Sequence, residues 1–190
     1  MLVEFPFFAA GINYFPGEIS ALRVFEPRYL LLIGDSIVNS KSFLVGRNME
    51  ELGQVVSEVE ILEHQDISNA EQLVVLECKN LYKVKEIITE NEYPICKIND
   101  HNDVGLPPGV NELDILEKNI KKMTAKLIEQ GLNTTIPEFL VDSDNRINKL
   151  WELCIYTPMD LETKNYILNQ NDIFKRYKTL LNYVESVLNA

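Results

Sequence analysis

A proline-glycine turn, a short apolar strand and an abrupt helix start follow one another between residues 14 and 29. The turn is Tyr14-Phe15-Pro16-Gly17, and the strand and helix start are Leu22-Arg23-Val24-Phe25-Glu26-Pro27-Arg28-Tyr29. Pro27 suits a first helical turn, where its missing N–H costs nothing, and Glu26 favours the positive end of the helix dipole. We predict a helix from Pro27 to about Asn39. It is apolar on nearly every side from Tyr29 to Ile33, so we expect burial on two sides.

Short strands with period-two alternation dominate the remaining sequence up to about Asp103. Val55 and Val59 lie on one face of such a strand, and the apolar run 73–76 is typical of a strand with both faces covered. Pro94 predicts that its own strand lies at an edge or contains a bulge, because proline donates no ladder hydrogen bond. Strands of this length and spacing indicate a small barrel or a tightly coiled sheet.

The cluster Gly105-Leu106-Pro107-Pro108-Gly109 predicts a junction between two parts. Beyond it, apolar residues recur at helical spacing. They predict one helix that ends near Gly131 and others over about Asn145–Tyr156, Leu161–Asn169 and from Asp172 onward. These stripes could also form a coiled-coil seam, but each is short, so core packing is expected. We therefore predict an α+β fold with a β domain over residues 1–104 and a helical domain over 110–190.

The net charge of −11 lies mainly in the first part of the chain. Eight basic and 17 acidic residues precede Val110, and ten basic and 12 acidic residues follow from it, so the parts carry −9 and −2. An anionic surface repels phosphate backbones and anionic lipids, so neither nucleic acid nor a membrane is an expected partner. Cys78, Cys96 and Cys154 are expected to be buried reduced thiols. The start of the chain lacks a signal peptide, which predicts a cytoplasmic protein.

Motifs for catalysis, metal binding and nucleotide binding are absent from the sequence. His64 and His101 lie in polar contexts and are expected to be exposed rather than catalytic. We predict no catalytic residue, no metal site and no cofactor. Arg28 could bind a carboxylate ligand through a bidentate pair, or hold a carbonyl or carboxylate of the fold itself. Its neighbours Phe25, Pro27 and Tyr29 have the character of packing residues, which favours the structural role.

The chain resembles the Lon N-terminal domain, the substrate-binding domain that precedes the ATPase and peptidase of Lon proteases. The resemblance is carried by Phe5-Pro6-Phe7-Phe8, by Phe15-Pro16-Gly17 and by Leu22-Arg23-Val24-Phe25-Glu26-Pro27-Arg28-Tyr29. Weaker matches continue through 53–56, 93–96, Leu150-Trp151, Pro158, Lys164, 167–168 and Arg176. Where the family usually has a glycine and an arginine before an aromatic, this chain has Cys78 and Leu81 before Tyr82. Surface features of that hairpin are therefore not carried over.

The resemblance implies a PUA-like β pseudobarrel with one inserted helix, followed by a helical bundle. It also implies a binding role without catalysis. No Walker loop or serine-lysine peptidase segment occurs within the 190 residues. We therefore expect a free-standing domain that neither hydrolyses ATP nor cleaves peptides by that family's mechanism.

Three functions remain open from the sequence. The first is capture of unfolded or partly folded polypeptide segments, as an adaptor or chaperone-like factor with a protease as a second partner. We expect it to use an apolar groove between the two parts, with Tyr14, Phe15, Arg28 and Tyr29 as candidate binding residues. The second is RNA binding, which PUA-like barrels perform elsewhere, although the acidic first part opposes it. The third is a small-molecule site that uses uncommon residues.

Overall fold

The computed structural model describes residues 4–190, so residues 1–3 of the predicted first domain lie outside the described part. The first compact unit ends at Asn102, and the second comprises Asp103–Ala190. The elements are β1 Glu4–Ala9, β2 Ile19–Val24, α1 Pro27–Asn39, β3 Phe43–Gly46, β4 Val55–Ser68, β5 Glu71–Ile88, β6 Ile95–Asp100, α2 Val110–Glu129, α3 Arg146–Tyr156, α4 Leu161–Asn169 and α5 Ile173–Asn189. The fold is α+β.

The strands form one mixed sheet in the order β2-β5-β4-β3-β1-β6, and β6 also pairs with β5. Only the β1–β3 pair is parallel among the described pairings. The additional pairing joins β5, β4, β3, β1 and β6 in a ring. Strand β5, with 18 residues, is long enough to pair with β6 in its second half and with β2 in its first half. Strand β2 therefore lies outside the ring, at one end of the order.

Pro94 does not place its strand at an edge, because β6 begins at Ile95 and pairs with both β1 and β5. The proline lies just before the first ladder residue, where no N–H is needed. Its carbonyl accepts a hydrogen bond from the Phe7 N–H at 2.8 Å. A register shift does occur beside this strand, but it lies in the β5–β6 pairing between Val84 and Glu86.

The core of the first unit is formed by side chains from five strands. Its buried cluster is Phe7, Leu44, Val56, Val84, Cys96 and Ile98. Burial raises the pKa of the Cys96 thiol to about 12, so this cysteine is an inert packing residue. Cys78 and Cys154 form no disulfide and are also buried, which confirms the prediction of buried thiols.

The apolar run Leu73–Leu76 is covered completely on one face only. Val74 and Leu76 are buried, whereas Leu73 and Val75 are half-buried. His101 is buried, which corrects the expectation that both histidines are exposed, while His64 lies exposed on β4. The polar residues that surround His101 in the sequence therefore did not indicate its environment.

Helix α1 is buried on one face rather than on two. Tyr29, Leu32, Ile33 and Ser36 form the buried face, whereas Val38 is 82% exposed. Leu31, in the middle of the apolar run, is also exposed at 41%. The helix begins at Pro27 and ends at Asn39, as predicted. The prediction of burial on two sides was wrong because apolar residues such as Leu31 and Val38 are exposed in the folded protein.

We expect Gly46→Ala to lower the free energy of unfolding by about 1–3 kcal/mol, because the buried end of β3 has no room for a methyl group. A Cβ at Gly46 would lie 2.7 Å from Phe7 Cε2 and 2.8 Å from Val56 Cγ1. Gly34→Ala in α1 is the matched control, since its Cβ meets nothing within 4 Å. That control should gain about 0.5–1 kcal/mol from helix propensity. Urea unfolding followed by circular dichroism measures both values, and equal effects would contradict the packing argument.

The second unit contains helices α2 to α5. Helix α2 packs against α3 and α5, and α5 also contacts α3 and α4. Most residues of the predicted stripes are buried, including Leu116, Ile120 and Met123 on α2, and Tyr177, Leu180 and Val184 on α5, while Leu127, Leu181 and Leu188 are half-buried. The prediction that these apolar stripes are core positions is therefore confirmed. Among residues 4–190, no helix is long and apolar enough to cross a membrane.

Asp103 and Val104 lie in the second unit, although they precede the proline-glycine cluster. Val104 forms an isolated bridge with Asp172, in which its N–H donates to the Asn171 carbonyl at 2.8 Å. Asp103 binds Arg176 through two hydrogen bonds, of 2.6 and 3.1 Å. These contacts attach the start of the linker to helix α5.

A loop of 16 residues connects α2 to α3 and is held by a buried carboxylate. Glu152 Oε1 accepts hydrogen bonds from the N–H groups of Leu140 and Val141, at 2.6 and 3.0 Å. Its other oxygen pairs with Lys149 Nζ at 3.0 Å. Lys149 Nζ also lies 5.0 Å from the ring centroid of Phe139. The loop is therefore anchored in its second half, although the Leu140 side chain is largely exposed.

Candidate binding surface around the second strand

Two of the four predicted binding residues, Tyr14 and Phe15, belong to the core. Their exposed fractions are 2% and 1%. The Tyr14 N–H donates to Ser57 Oγ, and the Ser57 hydroxyl donates to the Tyr14 carbonyl, both at 2.8 Å. Burial, with Glu18 nearby, raises the pKa of Tyr14 to about 12. Neither aromatic ring is therefore accessible at the surface.

The turn after Phe15 fixes the start of β2. Glu18 Oε2 accepts from the Phe15 N–H at 2.7 Å, and Gly17 has a φ of 82°, which glycine adopts without strain. The Gly17 N–H donates to the Cys78 carbonyl at 2.8 Å, and the Cys78 N–H donates to the Glu18 carbonyl at 3.0 Å. The conspicuous turn sequence therefore positions β2 against β5.

Tyr29 is also buried, and Arg28 is the one predicted binding residue that reaches the surface. The Tyr29 ring stacks on Phe8 with centroids 3.9 Å apart, and its hydroxyl accepts from the Ala9 N–H at 3.3 Å. The Arg28 guanidinium carbon lies 4.6 Å from the centroid of the same ring. Its guanidinium binds the Glu26 carboxylate through two hydrogen bonds, of 2.9 and 3.2 Å. This local pair matches the structural alternative for Arg28.

Phe25 is exposed, which corrects its interpretation as a packing residue. Its exposed fraction is 65%, because it follows the last ladder residue of β2 and precedes the first residue of α1. It contributes to the wall of a shallow pocket of about 140 Å³. The pocket is lined by Phe8, Ala9, Ala10, Leu22, Arg23, Phe25, Glu26 and Tyr29. The family motif thus forms a surface depression as well as a helix start.

Strand β2 has an open edge beside this pocket. In the described chain from residue 4 onward, it pairs with β5 alone. The Glu18 carbonyl faces β5, where it binds Cys78. Because antiparallel pairs alternate in their hydrogen bonding, the N–H and C=O groups of Ser20, Leu22 and Val24 also face β5. The N–H and C=O groups of Ile19, Ala21 and Arg23, which alternate with these residues, point away from β5.

The side chains at the same three positions are exposed. Ile19 has an exposed fraction of 60%, and Ala21 and Arg23 are exposed as well. Arg23 forms an ion pair with Glu71 on the neighbouring strand. We call the outward-facing backbone of Ile19, Ala21 and Arg23, together with the pocket beside Phe25, the β2 edge surface.

The strands around the β2 edge surface carry an excess of acidic residues. Residues 19–24, 60–68 and 71–79 contain five carboxylates and two basic side chains, Arg23 and Lys79. Both basic side chains are ion-paired with glutamates of the same sheet. Their charges are therefore neutralised locally, and the remaining potential favours cationic partners.

A second pocket, of about 340 Å³, lies between the end of α1 and β4. Its lining is mixed and mostly polar: Ser36, Ile37, Ser40, Lys41, Ser42, Glu60, Ile61, Leu62 and His64. None of the predicted binding residues contributes to it. Within residues 4–190, no group of three or more histidine, cysteine or acidic side chains is arranged to hold a metal ion.

Comparison with protein families gives a match over almost the whole chain. The profile described as the ATP-dependent protease La (LON) substrate-binding domain matches residues 4–186. The chain belongs to this Lon substrate-binding domain family. The family resemblance indicated by the residues 5–29 is therefore confirmed. A search of curated proteins found no match.

Two solved structures show the same fold as this Lon substrate-binding domain. The Lon N-terminal domain protein from Xanthomonas campestris has a TM-score of 0.68 and 21% identity, with 96% of this chain and 99% of that chain covered. The N-terminal domain of the Mycobacterium avium complex Lon protease has a TM-score of 0.67 and 14% identity, with coverage of 96% and 98%. At these identities the similarity establishes the fold alone.

The features of this Lon substrate-binding domain that sequence reasoning missed are the exposure of Phe25 and the open edge of β2. A signal for the first was present, since Phe25 stands between a strand end and Pro27, where a side chain need not enter either core. The second depends on strand order. Because no local pattern shows which strand has only one neighbour, the edge becomes visible only in the folded sheet.

Proposed function

We propose that this domain binds unfolded or partly folded polypeptide segments as a non-catalytic recognition module. In this proposal it acts in the cytoplasm as an adaptor or chaperone-like factor of protein quality control, with a protease as a second partner. The single observation that carries the proposal is the family match, because the substrate-binding domain profile covers residues 4–186. The exposed apolar residues Ile19 and Phe25 give additional support. Contiguous exposed apolar surface is typical of interaction sites, and Phe25 lines a pocket together with Phe8 and Leu22.

We further propose that the first unit is a PUA-like pseudobarrel and the second a helical bundle. The ring of pairings from β5 through β4, β3, β1 and β6 supports the first assignment. The contacts of α2 with α3 and α5 support the second. A closed ring would leave few strand edges available to a partner, so the position of β2 outside it acquires functional importance.

The charge distribution favours cationic polypeptide segments over nucleic acid. Eight basic and 17 acidic residues precede Val110. Arg23, Arg28 and Arg47 are each ion-paired with a glutamate of the same unit. A phosphate backbone requires free cationic side chains along its path, and these pairs reduce their number.

The full chain is expected to bind a permanently unfolded basic protein, such as reduced and alkylated lysozyme, with a dissociation constant of tens of micromolar or lower. Because electrostatic attraction contributes, raising the salt concentration from about 50 to about 200 mM should weaken binding about threefold. Fluorescence anisotropy of the labelled unfolded protein measures both quantities.

Two controls accompany this titration. Native lysozyme has similar charge and no exposed unfolded segment, so it should bind at least about tenfold more weakly if unfolded segments are recognised. A structured RNA hairpin represents the alternative function. Absence of binding to the unfolded protein at these concentrations, or salt-dependent binding of the hairpin in its place, would overturn the proposal.

A further inference from the structure

We propose that the β2 edge surface binds an extended polypeptide segment by strand addition, with an apolar side chain of the segment in the pocket beside Phe25. The occupant is a segment in which apolar and basic residues alternate. This inference rests on the proposed function and names the chemistry and the binding mode of its substrate. The backbone, the pocket and the charge each support it independently.

The backbone of β2 presents a regular row of hydrogen-bonding groups. Ile19, Ala21 and Arg23 direct their N–H and C=O groups away from β5, as the pairing register requires. Exposed edges in natural proteins are usually protected by lysine, proline or a bulge. In β2 the outward positions carry isoleucine, alanine and an arginine that is ion-paired with Glu71. An extended chain is the ligand whose groups match this row in spacing and direction.

The pocket lies where an added strand would pass the end of β2. Leu22 and Arg23 line it from the strand, and Phe25 and Glu26 line it from the following residues. Its volume is about 140 Å³. A cavity of roughly 150 Å³ holds a benzene-sized group, so this pocket accommodates one apolar side chain of the segment. Backbone pairing then provides affinity, and the pocket provides selectivity.

The charges near the strand distinguish a basic segment from a second copy of the chain. Five carboxylates and two ion-paired basic residues occupy 19–24, 60–68 and 71–79. A basic segment would be attracted to this region. A second copy would bring the same acidic strands, and a net charge of −11, to the same edge. Like charges at an interface oppose association, so the β2–β2 dimer is disfavoured.

The first test uses a labelled ten-residue peptide in which lysine and valine alternate. The full chain should bind it, as measured by fluorescence anisotropy. The same peptide with N-methyl groups on alternate residues cannot donate hydrogen bonds along one edge and should bind at least about tenfold more weakly. Equal affinity for the two peptides would overturn strand addition.

The second test changes the protein at one outward-facing position. Ala21→Pro removes an outward N–H, but the β2–β5 hydrogen bonds on either side remain, because proline is tolerated where an edge N–H faces solvent. The affinity for the lysine-valine peptide should fall about tenfold. Ala21→Thr keeps the outward N–H and introduces a residue that is suited to strands. Its affinity for the peptide should therefore stay within about twofold of that of the unmodified protein. Equal binding by the proline and threonine variants would contradict the proposal.

Amide exchange of the unmodified protein gives a readout that does not depend on the folding of any variant. On addition of the peptide, the N–H groups of Ile19, Ala21 and Arg23 should exchange at least about tenfold more slowly, whereas those of Ser20 and Leu22 should change little. If the peptide binds and these three amides are unchanged, strand addition is wrong and the proposed function stands. If neither peptide nor unfolded lysozyme binds, both fail. Concentration-dependent dimerisation that slows these amides without peptide would also overturn the inference.

Discussion

Replacing Arg176 with methionine is expected to lower the free energy of unfolding of the helical unit by about 3–5 kcal/mol. The arginine side chain is completely buried and stacks on Trp151, with its guanidinium carbon 3.8 Å from the ring centroid. It also binds Asp103 through two hydrogen bonds and donates to the Gln170 carbonyl at 2.7 Å. Methionine preserves much of the apolar stem but leaves the carboxylate and the carbonyl without this partner.

Trp151 is the only tryptophan of the chain, so urea unfolding followed by its fluorescence reports on this site. Lys175→Met is the matched control, because it changes an exposed basic residue of the same helix to the same side chain. Its effect should stay within about 0.5 kcal/mol. A loss below about 1 kcal/mol for Arg176→Met would show that the buried ion pair contributes no more than a surface pair.

Lys149→Met is expected to cost about 3 kcal/mol near neutral pH, because it removes the cation between two carboxylates. The Lys149 side chain is only 3% exposed and lies 2.7 Å from Glu117 and 3.0 Å from Glu152. Glu152 also holds the loop at Leu140, so loss of its partner should loosen that loop. Lys121→Met is the matched control, since Lys121 pairs with the same Glu117 but is 41% exposed. That control should cost at most about 1 kcal/mol.

The cost of Lys149→Met should depend on pH. Burial alone would raise the pKa of Glu117, but hydrogen bonds from Lys121 and Lys149 outweigh it and lower the pKa. The stabilisation is therefore present above the unfolded pKa of about 4.3 and is lost as pH falls through the lower folded value. Burial alone would lower the pKa of Lys149, but Glu117 and Glu152 outweigh burial and raise it. The stabilisation that Lys149 contributes is therefore fully present below its unfolded pKa of about 10.4 and is lost only as pH rises above that value.

Urea unfolding across pH measures this dependence. The difference between wild type and Lys149→Met should be largest from about pH 5 to about pH 10 and should decrease toward pH 3. A difference that remained constant down to pH 3 would show that lost packing, rather than the ion pairs, causes the destabilisation. The Lys121→Met control should show the same trend with a smaller amplitude.

The helices were predictable because their signals are local. Pro27 begins α1, Asp172 caps α5 by accepting from the Lys175 N–H at 2.9 Å, and Thr157-Pro158 ends α3. The apolar periodicity of a helix and the residues that begin and end it are local features of the sequence, so they do not depend on the rest of the fold. Burial was less predictable. Leu31 and Val38 are as apolar as Leu32 and Ile33, yet they face outward on α1.

The candidate site was predictable in location and not in composition. The segment that the sequence indicated, residues 14–29, contains strand β2 and five of the eight residues that line the pocket beside Phe25. Tyr14, Phe15 and Tyr29, which were predicted to bind, are buried. Ile19 and Phe25, which were not predicted to bind, are exposed. Aromatic residues are suited equally to a core and to an interface, so residue type could not separate the two roles.

By itself, the sequence determined the α+β class, the helix boundaries, the family and the acidic character of the first part, because periodicity, capping, motif order and charge are properties of the chain. Only the tertiary structure decided the order of the strands. That order places β2 outside the ring, leaves the backbone of Ile19, Ala21 and Arg23 unpaired with β5, and exposes Phe25 beside a pocket. These features depend on contacts between β2 and β5, which are separated by about fifty residues, so no local pattern contains them.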